Sequence, residues 1–215
     1  MKKYLVIGSP IEHSLSPKLH NYWFNKNNIN AIYDKKKIKK NDLKEIISEV
    51  RNEKIHGINV TVPFKQLIIP FVDELSSEAK ESQAVNTIYK KNNKILGHNT
   101  DIAGFELGLR YSKFDLKNKK VLILGAGGVV PSIIIALKKL GVSKIVLSNR
   151  TQKKIENLKA FFINIESIEW GKTIDFDVII NATSIGLKAN DKFKIDYSEG
   201  KSGKFFYDVI YNPKK

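Results

Sequence analysis

Val121-Leu122-Ile123-Leu124-Gly125-Ala126-Gly127-Gly128-Val129-Val130-Pro131-Ser132-Ile133-Ile134-Ile135-Ala136-Leu137 carries no charge and approaches the length of a membrane span. Three glycines and a proline divide it. The part before Gly125 is short enough for a buried strand, and the part after Pro131 has the length and apolar content of a helix. Strand, glycine turn and helix in that order predict a nucleotide-binding half-fold and no transmembrane segment. The glycines permit a tight turn and let backbone approach a pyrophosphate at the helix N-terminus. The match to G-x-G-x-x-G is incomplete, because Val130 stands at the last glycine position.

The pattern continues in the C-terminal direction. A strand is expected over Lys144–Ser148, a helix over 152–161, and strands over Val178–Ala182 and Phe205–Ile210. At the end of the 144–148 strand an NAD enzyme carries Asp or Glu, which accepts hydrogen bonds from the ribose 2′-hydroxyl. Here Asn149-Arg150-Thr151 stands in its place, with Lys153 and Lys154 just beyond. A carboxylate would repel a 2′-phosphate, whereas a guanidinium forks onto it, so the expected cofactor is NADP. Asn181-Ala182-Thr183-Ser184-Ile185-Gly186 places small polar residues at a strand's carboxyl end, where open α/β sheets bind ligands; an ordinary turn is the alternative.

Toward the N-terminus the first hundred residues also alternate. Strands are predicted at 3–8, Ala31–Tyr33 and Gly57–Val62, and helices at Pro17–Asn27 and Asn41–Glu53. Short pieces come next at 64–69 and 73–81, then a hairpin-like pair at Val85–Tyr89 and Lys94–Gly97. Such alternation favours a largely parallel sheet. The expected fold is α/β with two domains: 1–100 for substrate and catalysis, and 101–215 as a Rossmann-like NADP-binding domain with a parallel sheet. A helix over Asp101–Tyr111 connects the two.

Composition excludes several classes. Across 215 residues there is no cysteine, and the four histidines lack metal-ligand spacing, so disulfides, thiolate nucleophiles and a metal site are not expected. The N-terminal apolar run Tyr4-Leu5-Val6-Ile7 stops at Gly8-Ser9-Pro10, too soon for a signal peptide, which points to the cytoplasm. A formal charge of +15 would suit nucleic acid, but Lys35-Lys36-Lys37 and Lys117 to Lys120 lack interleaved aromatics and read as solvated loops. Neither nucleic acid nor membrane is an expected partner. A second copy of the chain, giving a homodimer, is.

Polar motifs mark the first domain. Ser14-Leu15-Ser16-Pro17 precedes the first helix, with Ser16 readable as its N-cap and Pro17 as its first residue. In Ile58-Asn59-Val60-Thr61-Val62-Pro63-Phe64-Lys65 the apolar residues face one side, while Asn59 and Thr61 face the other and lead to Lys65. Asn86-Thr87 and Gly97-His98-Asn99-Thr100-Asp101 are further polar clusters, and Asp101 alone would read as a helix cap.

Taken in order, these motifs resemble the shikimate dehydrogenase family. The resemblance rests on the serine-rich start, Asn-Val-Thr-x-Pro-x-Lys, Ala84-Val85-Asn86-Thr87, Asn99-Thr100-Asp101, Gly-Ala-Gly-Gly, Asn-Arg-Thr, Asn-Ala-Thr-Ser and Tyr207-Asp208-Val209-Ile210-Tyr211-Asn212-Pro213. It spans essentially the whole chain. It implies NADP-dependent, reversible reduction of 3-dehydroshikimate to shikimate, with Lys65 and Asp101 as the catalytic pair. It further implies Ser14 and Ser16, helped by Tyr211, on the substrate carboxylate, and Asn59, Thr61, Asn86 and Asp101 on ring hydroxyls. Gly125, Ala126, Gly127 and Gly128 would cradle the cofactor with Thr183 and Ser184 nearby. Asn149, Arg150, Thr151 and Lys154 would surround the 2′-phosphate. The family continues beyond the Tyr-x-Pro segment, so the expectation is an incomplete copy of a longer enzyme with apolar surface uncovered on its first domain. Two alternatives stay open: an NAD-using quinate/shikimate dehydrogenase, and a catalytically impaired nucleotide-binding fragment.

Overall fold

A computed structural model describes residues 1–187, 190–191 and 203–211. The chain divides into two compact units, Met1–Asp101 and Ile102–Lys215.

In the first unit β1 (Lys2–Gly8), α1 (Ser16–Lys26), β2 (Ala31–Lys37), α2 (Leu43–Arg51) and β3 (Gly57–Val60) lead to β4 (Glu74–Leu75), α3 (Ser77–Ser82), β5 (Thr87–Lys91) and β6 (Lys94–His98). The sheet runs β2-β1-β3-β5-β6-β4 and is mixed, not largely parallel as expected. Pairings β1·β2, β1·β3 and β4·β6 are parallel, whereas β3·β5 and β5·β6 are antiparallel. The cause is local. Asn92 and Asn93 both adopt positive φ (50° and 62°), the backbone of a tight two-residue hairpin whose twist matches antiparallel strands. Helix α2 buries Leu43, Ile46, Ile47 and Val50, a spacing that lays one apolar stripe on the core.

Other differences have equally simple reasons. Lys35, Lys36 and Lys37 belong to β2, not to a loop; β2 is an edge strand paired only with β1, so its lysines reach solvent without leaving the ladder. The 57–62 strand stops at Val60, and Val62 is 60% exposed: Pro63 has no N–H to extend the ladder. The expected 41–53 helix opens instead with a 3-10 turn at Lys40–Asp42. Ser16 is the first helical residue of α1 and not its cap; the Ser14 hydroxyl accepts from the Ser16 N–H (3.3 Å). Helix α1 buries none of its residues, and Leu15, Leu19, Tyr22 and Trp23 stand exposed at helical spacing.

The second unit carries α4 (Asp101–Tyr111), which opens on the last residue of the first unit, then β7 (Lys120–Leu124), α5 (Val130–Lys139), β8 (Lys144–Ser148), α6 (Gln152–Phe161), β9 (Ile165–Ile168), β10 (Val178–Asn181) and β11 (Phe205–Asp208). Its five strands run β11-β10-β7-β8-β9, and every pairing is parallel. Val121 to Leu124 are all buried, as befits a central parallel strand. The order reverses at β7, whose successor β8 lies on one side and whose other neighbour β10 on the other. The crevice at the carboxyl ends there is the standard ligand site of such sheets. Strand β9 has no sequence signal, since Ile165-Glu166-Ser167-Ile168 neither alternates nor forms an apolar run. No helix among the described residues is long and apolar enough to cross a membrane.

Candidate active site

Two groups of residues are assembled, one in each unit. In the first, the turn after β3 carries Lys65. The Phe64 N–H donates to the Thr61 carbonyl (2.9 Å) and the Phe64 ring is buried, so the turn is pinned to the core. The Lys65 carbonyl accepts from Val85 N–H (2.8 Å), which ties the same turn to the segment entering β5. Lys65 Nζ donates to Asp101 Oδ2 at 2.6 Å, with the two side chains 12% and 20% exposed. Asp101 is held from both ends. Its N–H donates to Asn99 Oδ1 (2.9 Å), and its Oδ1 accepts from Asn86 Nδ2 (2.7 Å). Asn99 is itself buried and donates to Ser82 Oγ and the Ala84 carbonyl, both at 2.9 Å.

Asn86 is hydrogen-bonded on every side: it donates also to Thr100 Oγ1 (2.9 Å) and accepts from Thr100 N–H and Thr87 Oγ1 (both 3.0 Å). Asn59 joins through Nδ2, which donates to Thr87 Oγ1 (3.1 Å) and the Asn86 carbonyl (3.2 Å). Thus Asn59, Thr87, Asn86, Thr100, Asp101 and Lys65 form one connected polar network. Thr61 is placed beside it by its backbone, donating to the Ile7 carbonyl (2.9 Å), with no hydrogen bond to this network among the described residues. A Cβ at Gly8 would come within 2.5 Å of Thr61 Cγ2, so only glycine lets β1 end against this strand. Ser14 and Ser16 sit together at the start of α1, bonded to each other and not, among the described residues, to the network. Thr87, Thr100 and Asn99 lie inside the polar motifs but outside the expected site residues; their signal in the sequence is adjacency to Asn86 and Asp101.

His20 on α1 stacks on Tyr33 at 4.2 Å and 8°. Burial pushes its pKa below the ordinary 6.5. Because the unfolded chain binds that proton more readily, stability is present above pH 6.5 and declines as pH falls through the unfolded value. Thermal melts from about pH 7.5 to about pH 5.5, roughly one unit either side of the ordinary value, are expected to show a decline that His20→Phe, which keeps a ring to stack, reduces. An undiminished decline in the variant would assign it to other groups.

In the second unit the glycine turn is threaded between two neighbours. Gly125 has φ +111° and donates its N–H to the Ser148 carbonyl (2.8 Å), while Ala182 N–H donates to the Leu124 carbonyl (2.8 Å). A Cβ at Gly125 would lie 2.7 Å from the Ala182 oxygen. Gly125→Ala is therefore expected to cost about 2 kcal/mol from left-handed strain and overpacking. An unchanged melting temperature and unchanged NADPH binding would refute that reading of the turn. A Cβ at Gly127 would meet nothing closer than 4.0 Å, which leaves open space over the first turn of α5. Val130 is fully buried and packs the helix on the sheet, the task of the motif's third glycine.

Beyond β8, Asn149 Nδ2 donates to the Thr151 carbonyl (2.9 Å), and Arg150, Thr151, Lys153 and Lys154 are exposed. Lys153 has a long contact with Glu156 (3.9 Å); no carboxylate lies within ion-pair distance of Arg150 or Lys154 among the described residues. A cationic loop without an acid fits a 2′-phosphorylated dinucleotide and does not supply the carboxylate an unphosphorylated ribose would use. The 181–187 segment is built on Asn181, absent from the expected site residues. Its Nδ2 donates to both Asp208 oxygens (3.0 and 3.1 Å) and to the Ile185 carbonyl (3.1 Å), and its Oδ1 accepts from Thr183 N–H (3.0 Å) and Oγ1 (2.7 Å). Thr183 is thereby fixed beside Gly125, and Ser184 is exposed next to it. Tyr211 is exposed; Asn212 and Pro213 lie outside the described residues.

Residues 6–88 match the family model of the shikimate dehydrogenase substrate binding domain, and residues 108–209 that of shikimate / quinate 5-dehydrogenase. A shikimate dehydrogenase (NADP(+)) of Pelagibacter ubique is 62% identical over 212 residues, covering 99% of this chain and 80% of that protein. The crystal structure of shikimate dehydrogenase from Aquifex aeolicus is 38% identical with a TM-score of 0.89, covering 99% of this chain and 80% of that one. Shikimate 5-dehydrogenase from Thermus thermophilus, solved in complex with NADP(H) and shikimate, is 28% identical with a TM-score of 0.88 over 99% of this chain and 80% of that one. With both units matched in order and near-complete coverage of its length, the chain belongs to the family of NADP-dependent shikimate dehydrogenases.

Proposed function

We propose that this chain performs the reversible reduction of 3-dehydroshikimate to shikimate through Lys65 and Asp101, with residues 1–100 binding substrate and 101–215 binding NADP. The observation that carries the proposal is the Lys65–Asp101 pair: a short, largely enclosed ion pair embedded in a polar network, where lysine and carboxylate have no need to meet for folding alone. NADP supplies or accepts the hydride when bound. The chain's own residues manage the oxygen. Lys65 Nζ donates toward the carbonyl oxygen as charge develops on it, and Asp101 keeps the ammonium oriented and accepts from a substrate hydroxyl.

Asn59, Thr61 and Asn86 read the ring hydroxyls, Asn86 by exchanging a threonine hydroxyl it now holds for one of the substrate, and groups built to satisfy hydroxyls reject analogues that lack them. Ser14, Ser16 and Tyr211 take the carboxylate. Gly125, Ala126, Gly127 and Gly128 cradle the pyrophosphate with Thr183 and Ser184, and Asn149, Arg150, Thr151 and Lys154 hold the 2′-phosphate. A cytoplasmic homodimer belongs to the same proposal.

The test is direct: shikimate with NADP⁺, monitored by NADPH absorbance, with NAD⁺ and quinate as controls. Turnover with shikimate and NADP⁺ supports the reading. No turnover in a folded sample that binds NADPH overturns the activity of this chain.

A further inference from the structure

Tyr33 lies in β2, outside every motif that marks the site, yet its hydroxyl donates to Asn59 Oδ1 at 2.6 Å. Three features fix it there. The residue is 4% exposed. Its backbone is clamped by Asn21 of α1, which donates from Nδ2 to the Tyr33 carbonyl (2.7 Å) and accepts the Tyr33 N–H on Oδ1 (2.9 Å). Its ring is covered by His20, one residue earlier in α1. Consecutive residues of an exposed helix are thus occupied in holding one phenol.

The Asn59 amide can sit only one way. The Asn86 backbone carbonyl is acceptor-only, so Nδ2 must face it, and Oδ1 must face Tyr33. Both Nδ2 protons are then used, on the Asn86 carbonyl and on Thr87 Oγ1. Of the two lone pairs on Oδ1, Tyr33 takes one, and a single acceptor position is left. From this end the donors also run in one direction: Tyr33 to Asn59, Asn59 to Thr87, Thr87 to Asn86, and Asn86 to Asp101.

We propose that Tyr33 is a positioning residue for substrate recognition: by locking the Asn59 amide it leaves one acceptor, and so makes the site demand a hydroxyl donor from the substrate at that point. This rests on the substrate-binding role proposed above for Asn59. Tyr33→Phe removes the hydroxyl and keeps the ring, the stack and the backbone clamp. Its expected effect is a rise of about tenfold in KM for shikimate, with kcat and NADPH affinity within about twofold.

A purely structural role would lower the melting temperature and move kcat and KM together. Rates are therefore measured well below the variant's own melting temperature. Asn59→Ala supplies the second arm. If Tyr33 acts through Asn59, Tyr33→Phe adds nothing to KM in the Asn59→Ala background. An additive effect there overturns the inference, as does an unchanged KM for Tyr33→Phe when Asn59→Ala raises it. An unchanged KM for Asn59→Ala shows that the underlying reading of Asn59 is the part that failed, and the inference falls with it.

Discussion

Lys65→Met is expected to lower kcat by about a thousandfold, because general acid and electrostatic assistance at one oxygen is worth roughly 10²–10⁴. NADPH affinity, measured by fluorescence, should change little, since Lys65 belongs to the first unit and the glycine turn to the second. The variant also leaves Asp101 without its cation in a largely enclosed site, so some loss of stability accompanies the loss of rate. Lys65→Arg separates the two ways in which a lysine can act. A guanidinium keeps the charge and the hydrogen bond to Asp101 but holds its proton at any accessible pH. A loss as large as that of Lys65→Met would assign the transferred proton to Lys65. Recovery of most of the rate would make orientation and charge its whole contribution. A kcat within about threefold of the parent for Lys65→Met itself would remove this residue from the chemistry.

Arg150→Asp is expected to raise KM for NADP⁺ about a hundredfold while leaving that for NAD⁺ unchanged or improved, as measured from initial rates with each cofactor. A charge-assisted fork onto a phosphate is exchanged for a like-charge contact. The substituted carboxylate stands where NAD enzymes place theirs. Because Arg150, Lys153 and Lys154 are exposed, the preference of the parent for NADP⁺ should weaken as ionic strength rises. Equal effects on both cofactors would mean that Arg150 supports the loop and does not read the phosphate.

These two sites are not equally legible in the amino-acid sequence. The glycine turn is readable because its chemistry is local: one strand, one positive-φ glycine and one helix lie in a single contiguous stretch. The absence of an acid after Ser148 is readable for the same reason. Lys65 and Asp101 are 36 residues apart and are paired only by resemblance; periodicity alone leaves Asp101 as a helix cap. Asn181 escapes a linear reading since its work is done across two strands, toward Asp208, and a side chain's partners in a parallel sheet are set by register. Tyr33 is hidden for a related reason, reading as an ordinary apolar strand residue until α1 and β3 converge on it. In the mixed first sheet the β5–β6 hairpin at Asn92 and Asn93 is visible in the sequence, whereas the antiparallel β3·β5 pairing, made across β4 and α3, is not.

The contact between Gly125 and Ala182 has a meaning for the chain as it is made. Strand β7 is central in its sheet, but one of its neighbours, β10, is translated only after α5, β8, α6 and β9. At ribosomal speeds the gap lasts several seconds, on the order of 3–10 s. Throughout that interval Val121, Leu122, Ile123 and Leu124 have an unpaired edge, and the nucleotide turn lacks the wall against which Gly125 rests. The nascent protein therefore presents an aggregation-prone strand at the very place where the finished one will hold its cofactor, and NADP can reward folding only once β10 and Ala182 have been made.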